Sequence, residues 1–106
     1  EADGSVYPCD FYMLDEYRLG NFNQDCLDVL DKKREEIGFI SRSRNISEDC
    51  VSCPYYRLCR GGCQRNRDLD LESGRYRSYF CQGYQKFFEV CSAAIWSIAF
   101  ELSRSI

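Results

Sequence analysis

The stretch that most constrains this chain is CVSCPYYRLCRGGC, residues 50–63, which sets four thiols in fourteen residues at the spacing C-x2-C-x5-C-x3-C. Disulfides within so short a segment would close no large loop and would restrain little of the unfolded chain. Cys50-x2-Cys53 instead puts two sulfurs on one short turn, the two-ligand hook of tetrahedral thiolate sites. Cys59 and Cys63 add two more, and Cys81 follows at the start of a helical pattern. Gly61-Gly62 lets the backbone approach an ion or cluster, and its N–H groups are available to sulfur. Five cysteines are one too many for a single four-thiolate site. The fifth points to a second site shared with Cys9, in the way ferredoxin motifs lend a cysteine to a neighbouring cluster.

The chain has eight cysteines and no histidine, so neither the commonest zinc ligand nor the usual general base is present. All-sulfur donor sets suit zinc or iron–sulfur clusters. On spacing alone a structural four-cysteine zinc ion is the commonest occupant, with an iron–sulfur cluster the alternative. A secreted disulfide framework also stays open. The cysteine count is even, and Asn45-Ile46-Ser47 matches a glycosylation sequon.

A length of 106 residues with 44% hydrophobic and 29% charged residues fits one folded domain with a modest core that a metal would help to staple. The net charge of −3 gives no field for nucleic acid or membrane surfaces, and no apolar run is long enough to span a bilayer. A zinc-knuckle RNA binder would share the arginines and aromatics of the cysteine segment but not this acidic balance. The opening residues, EADGSVYPCD, lack the basic start and apolar block of a signal peptide.

Asp3-Gly4 reads as a hairpin turn with Ser5-Val6-Tyr7 as the returning strand, ended by Pro8. Since only Glu1 and Ala2 precede it, the reading is half of a hairpin, with an edge near Val6 open to a second copy. Gly20-Asn21 reads as another turn. Residues 24–37 pattern as a helix with Cys26, Leu27, Leu30 and Ile37 on one face, Asn23 or Asp25 as cap and Gly38 as stop. Residues 41–49 read as a loop, and 50–67 as turns and short helical pieces. From about Tyr79 to Ser103 the apolar residues Tyr84, Phe87, Phe88, Cys91, Ile95, Ile98 and Leu102 recur at helical steps, predicting a long helix with a core-facing aromatic stripe running to Phe100. The expected fold class is α+β, a small metal-stabilised domain of truncated hairpin, cluster-binding loops with short helices, and long C-terminal helix.

The order Gly4-x4-Cys9, gap, Cys50-x2-Cys53-x5-Cys59-x3-Cys63, gap, Cys81 resembles the SPASM motif, found in C-terminal extensions of radical-SAM enzymes. The blocks DGSVYPCDFYMLDEYRLGN, CPYYRLCRGGCQR and YFCQGYQKFF, about half of the chain, are similar to the anaerobic sulfatase-maturating enzymes within that group. The resemblance implies two auxiliary [4Fe-4S] clusters. One would take Cys50, Cys53, Cys59 and Cys81. The other would take Cys9 and Cys63 with two cysteines upstream of Gly4, beyond this sequence, leaving that site incomplete here. It also implies a separate radical-SAM domain holding S-adenosylmethionine and its own cluster, so residues 1–106 read as a C-terminal domain fragment, inactive alone.

The implied reaction converts a cysteine or serine of a sulfatase polypeptide to formylglycine. Asp10, next to Cys9, is the implied general base, and the electron would leave through the auxiliary clusters to an external acceptor. Phe11 and Tyr12 would supply Asp10 with an apolar wall that raises a carboxylate pKa; without the resemblance Asp10 is a turn residue. Zinc is the expected substitute where iron is not supplied. The implied setting is the cytoplasm of an anaerobic bacterium. Cys26 and Cys91 lie outside the motif and read as buried thiols on apolar helical faces. Arg57, Arg60, Arg65, Arg67, Arg75 and Arg77 make the cysteine segment basic, which suits the negative charge of a thiolate-ligated cluster. Tyr55, Tyr56, Tyr76, Tyr79 and Tyr84 read as packing around the site.

Overall fold

A computed structural model describes all 106 residues. The chain forms two compact units, Glu1–Asn45 and Ile46–Ile106, and mixes short helices, two small antiparallel sheets and one long helix.

In the first unit, β1 (Ser5–Val6) pairs antiparallel with β2 (Gly20–Asn21), with Ser5 opposite Asn21 and Val6 opposite Gly20. The turn at Asp3-Gly4 exists, closed by Gly4 N–H donating to Glu1 O at 3.1 Å. Its strand partner differs from the expected one. Gly20-Asn21 is the second strand rather than a turn, because the chain doubles back through two single-turn 3-10 helices at Asp10–Tyr12 and Asp15–Tyr17. One edge of β1 is therefore paired within the chain. The Leu19 amide continues the ladder by donating to Val6 O at 2.8 Å.

The helix predicted over 24–37 is α1 (Leu27–Glu36). Asp25 does not cap it; the Asp25 carboxylate accepts from the Asn21 amide at 2.8 Å and pins the strand exit instead. Gly38 ends the helix in the left-handed region, φ 68°, as glycine does at helix C-termini. The chain then re-enters helix at α2 (Phe39–Arg44), where a loop is predicted. Short polar side chains make this possible: Ser41 and Ser43 bond back to Gly38 O and Ile40 O. The core of this unit is Tyr12, Leu19 and Leu30. Tyr12 meets the Tyr17 and Phe39 rings edge to face at 4.8 and 5.1 Å. Cys26 and Leu27 are exposed, so the expected burial of Cys26 fails. With the helix starting at Leu27, only Leu30 turns fully inward.

In the second unit, Ile46 is buried and bridges to Tyr76, while Ser47 N–H donates to Tyr76 O at 2.9 Å. Ser47 then caps α3 (Glu48–Ser52) by accepting from the Asp49 amide. α4 (Tyr56–Cys59) and a 3-10 turn at Gln64–Asn66 complete the cysteine segment, as the short-helix reading predicts. An unpredicted hairpin follows: β3 (Arg67–Asp70) pairs antiparallel with β4 (Arg75–Ser78). Its last residue, buried Ser78, accepts from the Phe80 amide at 3.1 Å and so prepares the start of α5 (Cys81–Arg104), the long helix. The half-buried residues of α5 are Cys81, Tyr84, Phe88, Cys91, Ser92 and Ile95, a stripe at helical steps. Phe87, Ile98, Phe100 and Leu102 are exposed, so the stripe does not run to Phe100 as expected. No helix is long and apolar enough to cross a membrane.

Candidate metal centre

α3, α4 and the first turns of α5 bring Cys50, Cys53, Cys59 and Cys81 around one recess with about 380 Å³ of empty space, its open mouth included. Local folding explains each position. Cys50 lies in α3 and Cys53 directly after it, where the Cys53 amide closes the helix onto Cys50 O at 3.2 Å. Cys59 ends α4, whose last turn is held by its amide donating to Tyr55 O at 2.9 Å. Cys81 opens α5, so a thiolate there stands at the positive end of the helix dipole. Tyr55, Tyr56, Tyr84 and Phe88 form the walls, and Tyr55 stacks on Phe88 at 5.8 Å between centroids. Tyr55, Tyr56 and Tyr84 pack the site as the sequence implies, whereas Tyr76 and Tyr79 do not line it and Tyr79 is exposed.

After Cys59 the backbone takes three left-handed residues in succession: Arg60 (φ 53°), Gly61 (φ 83°) and Gly62 (φ 66°). Arg60 carries the cost of about 1–2 kcal/mol that an L-residue meets there, and its guanidinium stacks over the Tyr56 ring at 5.2 Å. A Cβ on Gly61 would stand 3.1 Å from Ile46 Cγ2, and one on Gly62 3.1 Å from Tyr84 Cε2. This loop separates two cysteines of different fate. Cys59 lines the recess; Cys63, past the loop, is exposed and does not.

The electrostatics of the recess are those of crowded sulfur. Burial pushes the Cys50 thiol up, and the neighbouring Cys81 and Cys59 sulfurs push it further, against the pull of Arg77 and Arg67. Four thiolates gathered here repel one another unless a cationic centre compensates them, and metal binding deprotonates coordinating thiols. Arg77 lines the recess beside Cys81, and the nearness of that sulfur holds its guanidinium more firmly protonated. It also reaches Asp49 Oδ2 at 3.5 Å. The other arginines divide by use: Arg75 faces Glu48 at 3.8 Å, and Arg67 binds the glycine loop. The roles of Arg77, Asp49 and Ser78 escape sequence reasoning because they depend on the unpredicted hairpin; the basic run itself was the only signal.

The donor set therefore fits an anionic, thiolate-ligated group: four sulfurs, no imidazole, aromatic walls and an arginine beside the sulfurs. The sulfurs ring the recess without converging on a point, and no three metal-binding side chains are close enough to hold a single ion. All eight cysteines are free thiols.

Cys9, in the first unit, is half-buried and precedes the 3-10 turn that carries Asp10. Its thiol donates to Asp10 Oδ1 at 3.3 Å. The apolar wall expected around Asp10 is absent. Asp10 is exposed, Phe11 is 64% exposed, and Tyr12 turns away into the core. A 3-10 turn advances about 120° per residue, which sends these neighbours in different directions. Cys91 is half-buried on α5.

Comparison with known proteins gives a consistent set of relatives. Residues 1–64 match the SPASM family, an iron–sulfur cluster-binding domain. The chain is 42% identical over 99 residues to a cysteine-type anaerobic sulfatase-maturating enzyme of Clostridium perfringens, covering 93% of this chain and 27% of that one. A serine-type anaerobic sulfatase-maturating enzyme of Bacteroides thetaiotaomicron is 30% identical, covering 84% and 22%. The solved structure of native anSMEcpe with bound AdoMet and Kp18Cys peptide superposes with a TM-score of 0.76 at 42% identity, over 95% of this chain and 28% of that one. The chain thus spans about a quarter of the length of these relatives.

Proposed function

Because the chain belongs to the SPASM family of iron–sulfur cluster-binding domains, we propose that it is the auxiliary-cluster part of a radical-SAM enzyme that matures sulfatases by converting a cysteine or serine to formylglycine. Cys50, Cys53, Cys59 and Cys81 hold one [4Fe-4S] cluster. Cys9 and Cys63 serve a second, whose remaining ligands lie outside these residues. The radical chemistry and S-adenosylmethionine belong to a separate domain of the parent. Its partners are the sulfatase polypeptide and an external electron acceptor. The greater identity to cysteine-type relatives than to serine-type ones, 42% against 30%, favours a cysteine substrate.

The observation that carries this reading is that four cysteines, and no other soft donor, line one recess. A bound cluster would supply a one-electron acceptor. Around it the chain's own groups would bind and orient: the four thiolates would ligate, Arg77 would set its positive charge beside Cys81, and the aromatic walls would limit water. Asp10 takes the substrate proton at its carboxylate. When Cys9 gives up its own proton as a ligand, Asp10 Oδ1 loses that donor and is left as an acceptor.

Single-ion zinc is the competing occupant. Its four sulfurs would need to close to about 2.3 Å from one ion. Anaerobic reconstitution of the chain with iron and sulfide, followed by iron, sulfide and zinc analysis, decides between them. The expected result is one [4Fe-4S] cluster per chain, lost on Cys→Ala change at position 50, 53, 59 or 81 and kept in Cys26→Ala and Cys91→Ala. Tight zinc with no iron uptake would sink the reading.

A further inference from the structure

The left-handed loop between Cys59 and Cys63 is held from one side by a single side chain. Arg67, at the start of β3, donates through Nε to Gly61 O at 3.0 Å and through Nη2 to Gly62 O at 2.7 Å and Arg60 O at 3.4 Å. One guanidinium thereby gathers three consecutive carbonyls. Its planar fork allows this, and a lysine ammonium, a compact point charge, has no equivalent geometry. Ile46, Tyr84 and Ser78 also pack against the loop, and its base is closed by the Gly62 amide on Cys59 O at 2.8 Å. Only the Arg67 contact spans all three left-handed residues.

The two ends of this loop point to different surroundings. Cys59 lines the recess with Cys50, Cys53 and Cys81, and Cys63 is exposed and outside it. Only three residues separate these thiols in sequence. A relaxed loop would let either sulfur reach the recess, since glycine at two of the three positions leaves the backbone free to rearrange.

We propose that Arg67 is a positioning residue that decides which thiol enters the recess, holding Cys59 in and Cys63 out so that the two cysteines cannot exchange as ligands. This rests on the cluster reading above. Arg67 touches no reacting atom; it acts through the three carbonyls. Without its grip, Cys63 competes with Cys59 for the fourth ligand position.

Ligand rescue tests this. The 106-residue chain and its variants are reconstituted anaerobically with iron and sulfide, and iron per chain and the electron paramagnetic resonance of the reduced cluster are measured. Cys59→Ser alone should lose the cluster. Cys59→Ser combined with Arg67→Met should regain most of the iron, with an altered spectrum, and lose it again when Cys63→Ser is added. Arg67→Met alone should bind iron at the unsubstituted level but show two overlapping spectra, one for each ligand choice. Arg67→Lys, which keeps the charge and loses the fork, should behave as Arg67→Met and decides the matter if the Met variant does not fold by circular dichroism. Iron uptake by the unsubstituted chain without rescue in the double variants overturns this proposal and leaves the cluster reading standing. No uptake by the unsubstituted chain overturns both.

Discussion

Arg77 stands with Cys81 on the wall of one recess, setting the last strand of a hairpin beside the head of the long helix. The register that sets Arg77 opposite Asp68 fixes where the guanidinium starts, and Asp49 across the recess steadies its far end. That ion pair is exposed and worth little in stability. A cation beside cluster sulfurs raises reduction potential, because it stabilises the more negative, reduced form. Arg77→Met should therefore leave iron content unchanged and make the midpoint more negative, by about 60 mV for each tenfold change in the relative stability of the two oxidation states. A redox titration followed by electron paramagnetic resonance reads this directly. An unmoved midpoint would remove Arg77 from the electronic environment of the cluster.

The two leucines of α1 make a paired test of the small first core. Leu30 is 4% exposed and Leu27 is 70% exposed. Leu30→Ala removes buried methylenes and leaves a cavity, at a cost of about 2–5 kcal/mol. Leu27→Ala should stay within about 0.5 kcal/mol of the parent chain. Urea unfolding of the metal-free chain gives both values. Equal losses would mean that both leucines are buried in solution.

How much of this was legible in the sequence depended on how local each signal was. The grouping of four cysteines around one recess was readable because three of them fall within one short segment and the fourth begins a strongly periodic helix. The hairpin that arms the site was not. Its strands, RDLD and RYRS, show no alternation of apolar and polar residues, and their register sets opposite charges across the ladder, Asp68 facing Arg77 and Asp70 facing Arg75. Gly20-Asn21 has the composition of a turn, and became a strand only because Val6 offered it a ladder. On α5 the period was right and its facing was not: the sequence shows which residues share a stripe, but not how far along the helix other elements cover it. For Asp10, adjacency to Phe11 and Tyr12 suggested an apolar wall that the 3-10 turn disperses.

Gly62 and Gly74 share a φ of 66°, yet only one is enclosed. A Cβ on Gly62 would press on Tyr84 and Ser78 at 3.1 and 3.3 Å, whereas one on Gly74 meets nothing within 4 Å. Gly74→Ala therefore isolates the backbone term, about 1–2 kcal/mol. Gly62→Ala adds crowding against the wall of the recess, about 1–3 kcal/mol more. Thermal unfolding of the two variants should place Gly62→Ala clearly below Gly74→Ala, and the Gly62 variant alone should also reconstitute poorly. Identical transitions would show that the loop can yield without loss.

In the parent enzyme, Asp10→Asn keeps the side-chain shape but removes the carboxylate proposed as the base. Cleavage of S-adenosylmethionine, which precedes proton loss from the substrate, should continue. Aldehyde formation on a cysteine-containing sulfatase peptide should fall by about 10²–10⁴-fold, the usual worth of a positioned base. Quantifying both products by mass spectrometry separates the steps. Equal loss of both would assign Asp10 to binding or folding instead.

The turn joining β3 to β4 carries a pH dependence of its own. Ser73 Oγ donates to Asp70 Oδ2 at 2.7 Å and the Glu72 amide donates to Oδ1 at 3.0 Å. These bonds, the Ser73 hydroxyl first, hold the Asp70 carboxyl below its ordinary value of 3.8. The folded turn thus binds a proton less readily than the unfolded chain, so stability rises with pH. The contribution is complete above the unfolded value and is lost as pH falls through the lower, folded one. Asp70→Asn still accepts from Ser73 but no longer titrates, so below pH 3.8 its urea midpoint should fall less steeply than that of the unsubstituted chain. A carboxyl resonance for Asp70 that titrates at its ordinary position in the folded chain would show that the turn bonds do not persist in solution.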